Sequence, residues 1–486
     1  MTYRNLRLSV PALMLTVALA GCSLAPKYER PAAPVPDRFP GQESAASQPE
    51  PSASHGADLG WQDFFRDERL KSLIQIALDN NRDMRIAVQR IEEARAQYGV
   101  ARSEQFPTIG VGGSGQATRY PPPLRQGGEN SPSVARIYQA GVGLTAFELD
   151  FFGRVRNLSE AAFQQFLATE QARQTVHINL VAQVAEAYFR LLAAQQTEHL
   201  IEQTVASREN TLKIVQSRYD VGVVSALDLN QARSQLNTVR ADLAAIKRAQ
   251  AQALNALHLV LGAEIPAGLS EPAVFGRDQL MSGIPVGLPS DLLQRRPDIR
   301  AAEHGLLAAN ANIGAARAAF FPNISITGML GFASTQLGGL FSSGNRFWQF
   351  SPQVQMPIFS GGVTGNLALA EARSNIAVST YEKTIQVAFR EVADALAGEE
   401  TYSGQLDALR DMEQSSAETL KLAQLRYETG VDSFLQVQNA EVDLYTTQRA
   451  FLQTGLDSLL NRVELYKALG GGWLEHSQAQ QGEAQG

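Results

Sequence analysis

Residues 218–236 read RYDVGVVSALDLNQARSQL, and 208 positions later residues 426–444 read RYETGVDSFLQVQNAEVDL. Each copy puts a glycine (Gly222, Gly430) where a helix ends in the left-handed region, then a serine (Ser225, Ser433) as N-cap with Asp228 or Gln436 three residues on. That order of residues is a helix stop followed by a capping box, and it predicts a tight helix-turn-helix hairpin made twice. Upstream of Tyr219 and Tyr427 no proline occurs back to Asn157 and Gly365, so each incoming helix can run roughly 60 residues, or about 90 Å. Downstream of the first tip, Ala232, Leu236, Val239, Leu243, Ile246, Ala253 and Leu257 keep a spacing of three and four. Val442, Tyr445, Arg449, Leu452, Leu456, Leu459, Val463 and Tyr466 do the same after the second. Both patterns are those of coiled coils.

Outward from the hairpins the duplication continues. Residues 311–324 (ANIGAARAAFFPNI) echo residues 96–109 (AQYGVARSEQFPTI), with Gly314, Arg317, Phe321 and Pro322 falling on Gly99, Arg102, Phe106 and Pro107. Asp298 and Arg300 likewise fall on Asp83 and Arg85. A helix is expected over about 70–102 and another over about 297–318. After each Phe-Pro pair the period drops to two. Ile109, Val111, Gly113, Gly115 and Ala117 alternate with polar or glycine residues, and so do Tyr138, Ala140, Val142, Leu144 and Ala146. In the second half Ile324, Ile326, Gly328, Leu330 and Phe332 form one such set, and Trp348, Phe350, Val354, Met356 and Ile358 another. These are four strands of 9–11 residues in two hairpins, each with one apolar face, as in transmembrane β-barrels. Four strands cannot close a barrel, and open edges are not tolerated in lipid. The chain must therefore assemble with copies of itself, or else fold the strands into a soluble sheet.

Composition narrows the function. With 486 residues and 44% apolar content the chain is long enough for two or three domains, and a net charge of −7 leaves no basic stripe for nucleic acid. A single cysteine excludes an intrachain disulfide framework. Residues 1–21 have a basic start (Arg4, Arg7) and an apolar run to Ala20, the pattern of a secretory signal. They end in Leu19-Ala20-Gly21-Cys22, which resembles a bacterial lipobox. That resemblance implies that Cys22 becomes the lipidated first residue; the alternative is an ordinary signal with Cys22 as a free thiol. Ser23, rather than aspartate, by the same resemblance favours the outer membrane. Residues 22–60, rich in proline, serine and alanine, read as an extended segment. The residues from 474 to 486 are polar and are expected to be disordered.

No catalytic site, cofactor site or metal site is expected. Gly110, Gly112 and Gly115 satisfy G-x-G-x-x-G but lie inside an alternating strand, the reverse of the strand-to-helix context a dinucleotide needs. His55, His177, His199, His258, His304 and His476 have no metal-ligand spacing.

Taken together, the lipobox, residues 60–70 (GWQDFFRDERL), residues 288–299 (LPSDLLQRRPDI), the two Phe-Pro turns, the two tips and residues 466–473 (YKALGGGW) resemble the lipoprotein branch of the TolC-like outer-membrane factors. That family supplies the exit ducts of tripartite RND-type efflux pumps. The resemblance covers the chain from Cys22 to Trp473. It implies a mostly α fold with a membrane β part, in which a homotrimer contributes four strands per protomer to a twelve-stranded β-barrel and its long coils form a periplasmic α-barrel. The division it implies is a first repeat over 61–270, with a β-hairpin at 107–148 and a tip near 220–228. The second repeat covers 271–473, with a hairpin at 322–358 and a tip near 428–436.

The function implied is passive conduction of drugs and other small solutes from an inner-membrane pump and a periplasmic adaptor to the exterior. Gly222, Val223, Gly430 and Val431 match the adaptor-contacting tips. Asp228 and Tyr427 match a hydrogen-bonded pair that ties neighbouring coils shut, while Leu435 and Asn439 match the narrowest rings of the pore. For Asp228 the capping box is an equal reading. Family members often carry aspartate at the position of Asn439, and Val442 replaces an arginine seen in close relatives; because Asn439 supplies no carboxylate ring, weaker cation block is expected here. Two other readings stay open: an exit duct for type I protein secretion, and a lipid-anchored periplasmic coiled-coil scaffold with no pore.

Overall fold

The computed structural model describes residues 23–40, 56–125, 128, 131–271 and 275–477. The signal segment, Cys22, His55 and residues 478–486 lie outside the described residues. In chain order the elements are α1 (Trp61–Phe64), α2 (Glu68–Asn80), α3 (Arg82–Ser103), β1 (Ile109–Arg119), β2 (Val134–Glu148), α4 (Arg154–Asp220) and α5 (Ala226–Leu261). They continue as α6 (Pro289–Arg295), α7 (Pro297–Ala318), β3 (Asn323–Ser334), β4 (Arg346–Gln355), α8 (Gly361–Glu428) and α9 (Phe434–Ala468). The fold is mostly helical with one small antiparallel sheet. At 67 and 68 residues, α4 and α8 are each about 100 Å long.

The single helix expected over 70–102 is two helices, because Asn81 leaves the helical region (ψ 136°). Its side chain holds the break from both sides: Oδ1 accepts from the Met84 amide at 3.0 Å, and Nδ2 donates to the Val260 carbonyl at 2.7 Å. Gly262, the left-handed end of α5, lies close enough that a Cβ there would sit 2.7 Å from the Asn80 carbonyl oxygen. The break therefore depends on a chain segment nearly 180 residues away, which local reading cannot reach.

Two compact units result, and each draws on both halves of the duplicated chain. The described part of Met1–Ala32, with Arg90–Thr169 and Ala301–Tyr381, makes one unit. It carries the sheet, in the order β1-β2-β3-β4 and antiparallel throughout, so β1 and β4 are its edges. The register places Val111, Val142, Leu330 and Trp348 in one row across all four strands, and all four side chains are exposed, from 47% to 86%. Gly112, Gly141, Gly331 and Phe347 form a row on the opposite face. A Cβ at Gly331 would lie 2.2 Å from the Ala140 carbonyl oxygen, so β2 and β3 approach closely only without side chains there. A β-bulge between Leu144 and Phe147 turns Ala146 to φ 45°. Below the strands Phe152 stacks on Phe321 at 4.7 Å, and Arg154 forks onto Glu148 at 2.6 and 2.9 Å. In this unit Ser23 donates to Asn157 at 2.9 Å, and Tyr28 and Arg30 both donate to Glu303.

The second unit consists of the described parts of Ala33–Gln89, Glu170–Arg300 and Glu382–Gly486. Its core joins three of the motifs that carried the family resemblance. Trp61, Phe64 and Phe65 are buried with Tyr188, Phe189 and Tyr466, and the Phe64 and Tyr466 rings stack at 4.0 Å. Arg296, buried, donates to the Ala468 carbonyl and to Glu391, both at 2.8 Å, and forks onto Asp298. Losing that guanidinium would take a donor from two carboxylates and a carbonyl at once. His177 packs edge-on against Trp473, and burial pushes its imidazole down to about 4.

Candidate functional site: the paired helical tips

At the first tip α4 ends in a backbone motif that needs a left-handed residue. The Gly222 amide donates to the Tyr219 carbonyl at 2.8 Å and the Val223 amide to the Arg218 carbonyl at 2.9 Å, with Gly222 at φ +76°. Nothing lies within 4 Å of a Cβ built there, so glycine is required by conformation and not by space. The return helix α5 is capped reciprocally: Ser225 Oγ accepts from the Asp228 amide at 3.2 Å, and Asp228 Oδ2 accepts from the Ser225 amide at 3.0 Å and its hydroxyl at 2.8 Å.

The second tip repeats the backbone and changes the closure. Gly430, at φ +75°, donates to the Tyr427 carbonyl at 3.1 Å, and the Val431 amide to the Arg426 carbonyl at 2.9 Å. The capping box expected of Ser433 and Gln436 does not form; the Ser433 side chain makes no cap hydrogen bond. The loop is instead bound by Arg426, which forks onto Asp432 at 2.6 and 3.1 Å and holds that carboxyl below its usual range. The first tip has Val224 at the equivalent position. Its arginine, Arg218, has no such local carboxylate and lies over the Tyr427 ring at 4.5 Å, donating to the Tyr427 carbonyl at 3.4 Å.

The two tips share one apolar cluster of Val215, Leu229, Ala232, Ala423, Phe434, Val437 and Ala440, with Tyr427 packed against it. The rings of Tyr427 and Phe434 are 5.6 Å apart. The Tyr427 hydroxyl is buried with no hydrogen-bond partner among the described residues, a condition that costs about 1–3 kcal/mol. Asp228 is committed to Ser225, and no hydrogen bond among the described residues joins it to Tyr427.

Among the exposed residues of α9 are Leu435, Asn439 and Val442, which at i, i+4 and i+7 share one face of the helix. Phe434, Val437, Ala440 and Glu441 are buried. The coiled-coil stripe read as beginning at Val442 therefore does not include it: Val442 is 38% exposed, and the buried seam at this end runs through Val437, Ala440 and Glu441. Val223 and Val431 stand out at the tips, 69% and 63% exposed. One pair at this site escaped the sequence reading: Glu441 is ion-paired with Arg208 on α4. No spacing pattern signalled it, because Glu441 stands outside the three-four stripe that starts at Val442.

Among the described residues no helix is long and apolar enough to cross a membrane. A family model described as "Outer membrane efflux protein" matches residues 73–263 and 288–471. The chain is 44% identical over 478 residues to the probable efflux pump outer membrane protein TtgC of Pseudomonas putida, covering 98% of this chain and 97% of that protein. It is 44% identical over 467 residues to outer membrane protein OprJ of Pseudomonas aeruginosa, covering 96% of each. Among solved structures, the open state of the MtrE outer membrane channel of Neisseria gonorrhoeae superposes with a TM-score of 0.82 at 38% identity, over 94% of this chain and 100% of that one. The CmeC outer membrane channel of Campylobacter jejuni superposes at 0.83 and 27% identity, over 96% and 98%. With matches of this extent to both halves of the chain, this protein belongs to the outer membrane efflux protein family.

Proposed function

We propose that this chain is the outer-membrane channel of a tripartite efflux pump, a passive duct for drugs and other small solutes. Three copies each supply four strands to a twelve-stranded barrel. The observation that carries the reading is the exposed row Val111, Val142, Leu330 and Trp348 on a sheet whose two edge strands are unpaired. Such a sheet is costly in water and forbidden in lipid until closed. Closure by copies of itself meets both demands, with the apolar row facing acyl chains.

In this reading Cys22 carries the lipid that tethers the N-terminus to the outer membrane. Gly222, Val223, Gly430 and Val431 meet a periplasmic adaptor, which couples the duct to an inner-membrane RND-type transporter. Leu435 and Asn439 line the constriction. A closed state that joins Tyr427 to Asp228 would give the buried hydroxyl its missing acceptor, at the expense of the Ser225 cap. Opening and closing would then be a choice between two partners for one carboxylate, which an adaptor can bias by contact with the neighbouring turns.

Planar-bilayer conductance of the full-length, detergent-extracted protein, with its mass measured in parallel, tests this. A trimer with small, mostly closed events in the wild type, and larger stable ones in Tyr427→Phe/Asp228→Ala, is expected. A folded oligomer that never conducts would overturn the duct. Block by trivalent cations should be weak, because Asn439 supplies no carboxylate ring; restoring it with Asn439→Asp should strengthen block about tenfold or more.

A further inference from the structure

Arg208 and Glu441 meet in the seam between α4 and α9, and their side chains keep only 4% and 5% of their exposure. The Thr211 hydroxyl donates to the second Glu441 oxygen at 3.2 Å. Burial raises the Glu441 carboxyl and lowers the Arg208 guanidinium, so each ion depends on the other to stay charged. The duplication does not explain the pair: the positions equivalent to Arg208 and Glu441 in the other copy are Ser416 and Arg233.

Its place on the helix is informative. At about 100° per residue, Glu441 lies about 120° around α9 from Leu435 and about 160° from Asn439. Anchoring Glu441 to α4 therefore turns the Leu435 and Asn439 face away from the seam. The apolar contacts of Val437 and Ala440 beside it are non-directional and would tolerate a modest rotation. A buried ion pair with a hydroxyl on the carboxylate's second oxygen does not, because rotation separates charges that water cannot reach.

We infer that Arg208, Glu441 and Thr211 are positioning residues for the constriction: they fix the rotation of α9 about its own axis and so set how far Leu435 and Asn439 project. This rests on Leu435 and Asn439 lining the narrowest part of the duct. Rotation of α9 during opening must break or re-form the pair, so its strength sets the balance between closed and open states.

The test compares open-state occupancy in planar bilayers and thermal unfolding for full-length wild type, Glu441→Gln, Arg208→Met/Glu441→Met, and Leu435→Gly as a control on the constriction. Glu441→Gln should raise occupancy about tenfold or more and lower the unfolding temperature, because it strands a buried guanidinium. The double methionine variant should recover the unfolding temperature, since an apolar replacement of a buried pair is near neutral. It should keep the raised occupancy, since the directional contact is gone. If that variant restores both quantities, the pair only fills the seam and the inference is overturned. If it conducts like wild type while Leu435→Gly changes conductance, the inference fails and the constriction stands. If Leu435→Gly changes nothing, the constriction assignment itself fails, and the positioning role with it. Should Glu441→Gln not fold, the double variant decides the matter alone.

Discussion

The two tips have the same backbone and different fastenings. Both end their incoming helix with a left-handed glycine, at φ +76° and +75°, and with the same pair of amide-to-carbonyl bonds. The first then closes on itself through the Ser225–Asp228 box, leaving Arg218 to reach across to Tyr427. The second spends its arginine locally on Asp432, and its serine caps nothing. One substitution class accounts for the contrast: valine or aspartate two residues after the glycine decides whether the helix-end arginine stays home. Duplication preserved what the backbone needs, while side-chain closure was free to diverge, and the cross-tip contact exists because of that divergence.

The largest expected effect tests the shared part. Gly222→Val and Gly430→Val should each loosen their own tip by about 2 kcal/mol, the cost of a β-branched residue in the left-handed region. Local opening read by amide hydrogen exchange should shift equally at the two sites. A twofold difference in that cost would mean the backbones are not equivalent under load.

The next effect tests the divergent part. Ser225→Ala should weaken residues 226–229 by about 1 kcal/mol, the usual value of a lost N-cap. Ser433→Ala should stay within about 0.5 kcal/mol of zero at residues 434–437. Equal losses would show that Ser433 caps its helix in solution and that the tips differ less than described.

A smaller effect concerns the reach between tips. Arg218→Met should cost about 0.5–1 kcal/mol, the worth of a cation over an aromatic face, and should speed exchange in the second tip as well as the first. Asp432→Asn should loosen the second tip alone, and added salt should shrink the difference, since that pair lies at the surface, Arg426 exposed and Asp432 partly so. A salt-insensitive loss would point to a directional role for Asp432 beyond charge.

Legibility followed range. The long helices, the left-handed glycines and the four alternating strands are written in neighbouring residues, so pattern alone placed them, although β2 runs to 15 residues and β4 ends at Gln355, short of the expected Met356 and Ile358. Asn81 carries no strong breaking signal, and its break in the helix needs the Val260 carbonyl from a distant segment. The second capping box was read from a serine and a glutamine three apart, a spacing that permits the bond without requiring it; the nearby Arg426–Asp432 pair closes that loop instead. Val442 fits the three-four spacing, yet it lies one position beyond the residue that is buried, Glu441. A hydropathy pattern expects valine inside and glutamate outside, and a buried ion partner on another helix reverses that order.

By itself the sequence determined where the long helices stop at the two tips, that alternating segments follow each Phe-Pro pair, and that the plan occurs twice, because these depend on φ preferences and on periods of 2 and 3.6 among near neighbours. Only the tertiary structure decided which face of α9 is buried and what Arg208, Arg218, Tyr427 and Glu441 touch. Those contacts join residues more than 200 positions apart, and a side chain's partner across such a gap is set by packing, which no local pattern encodes.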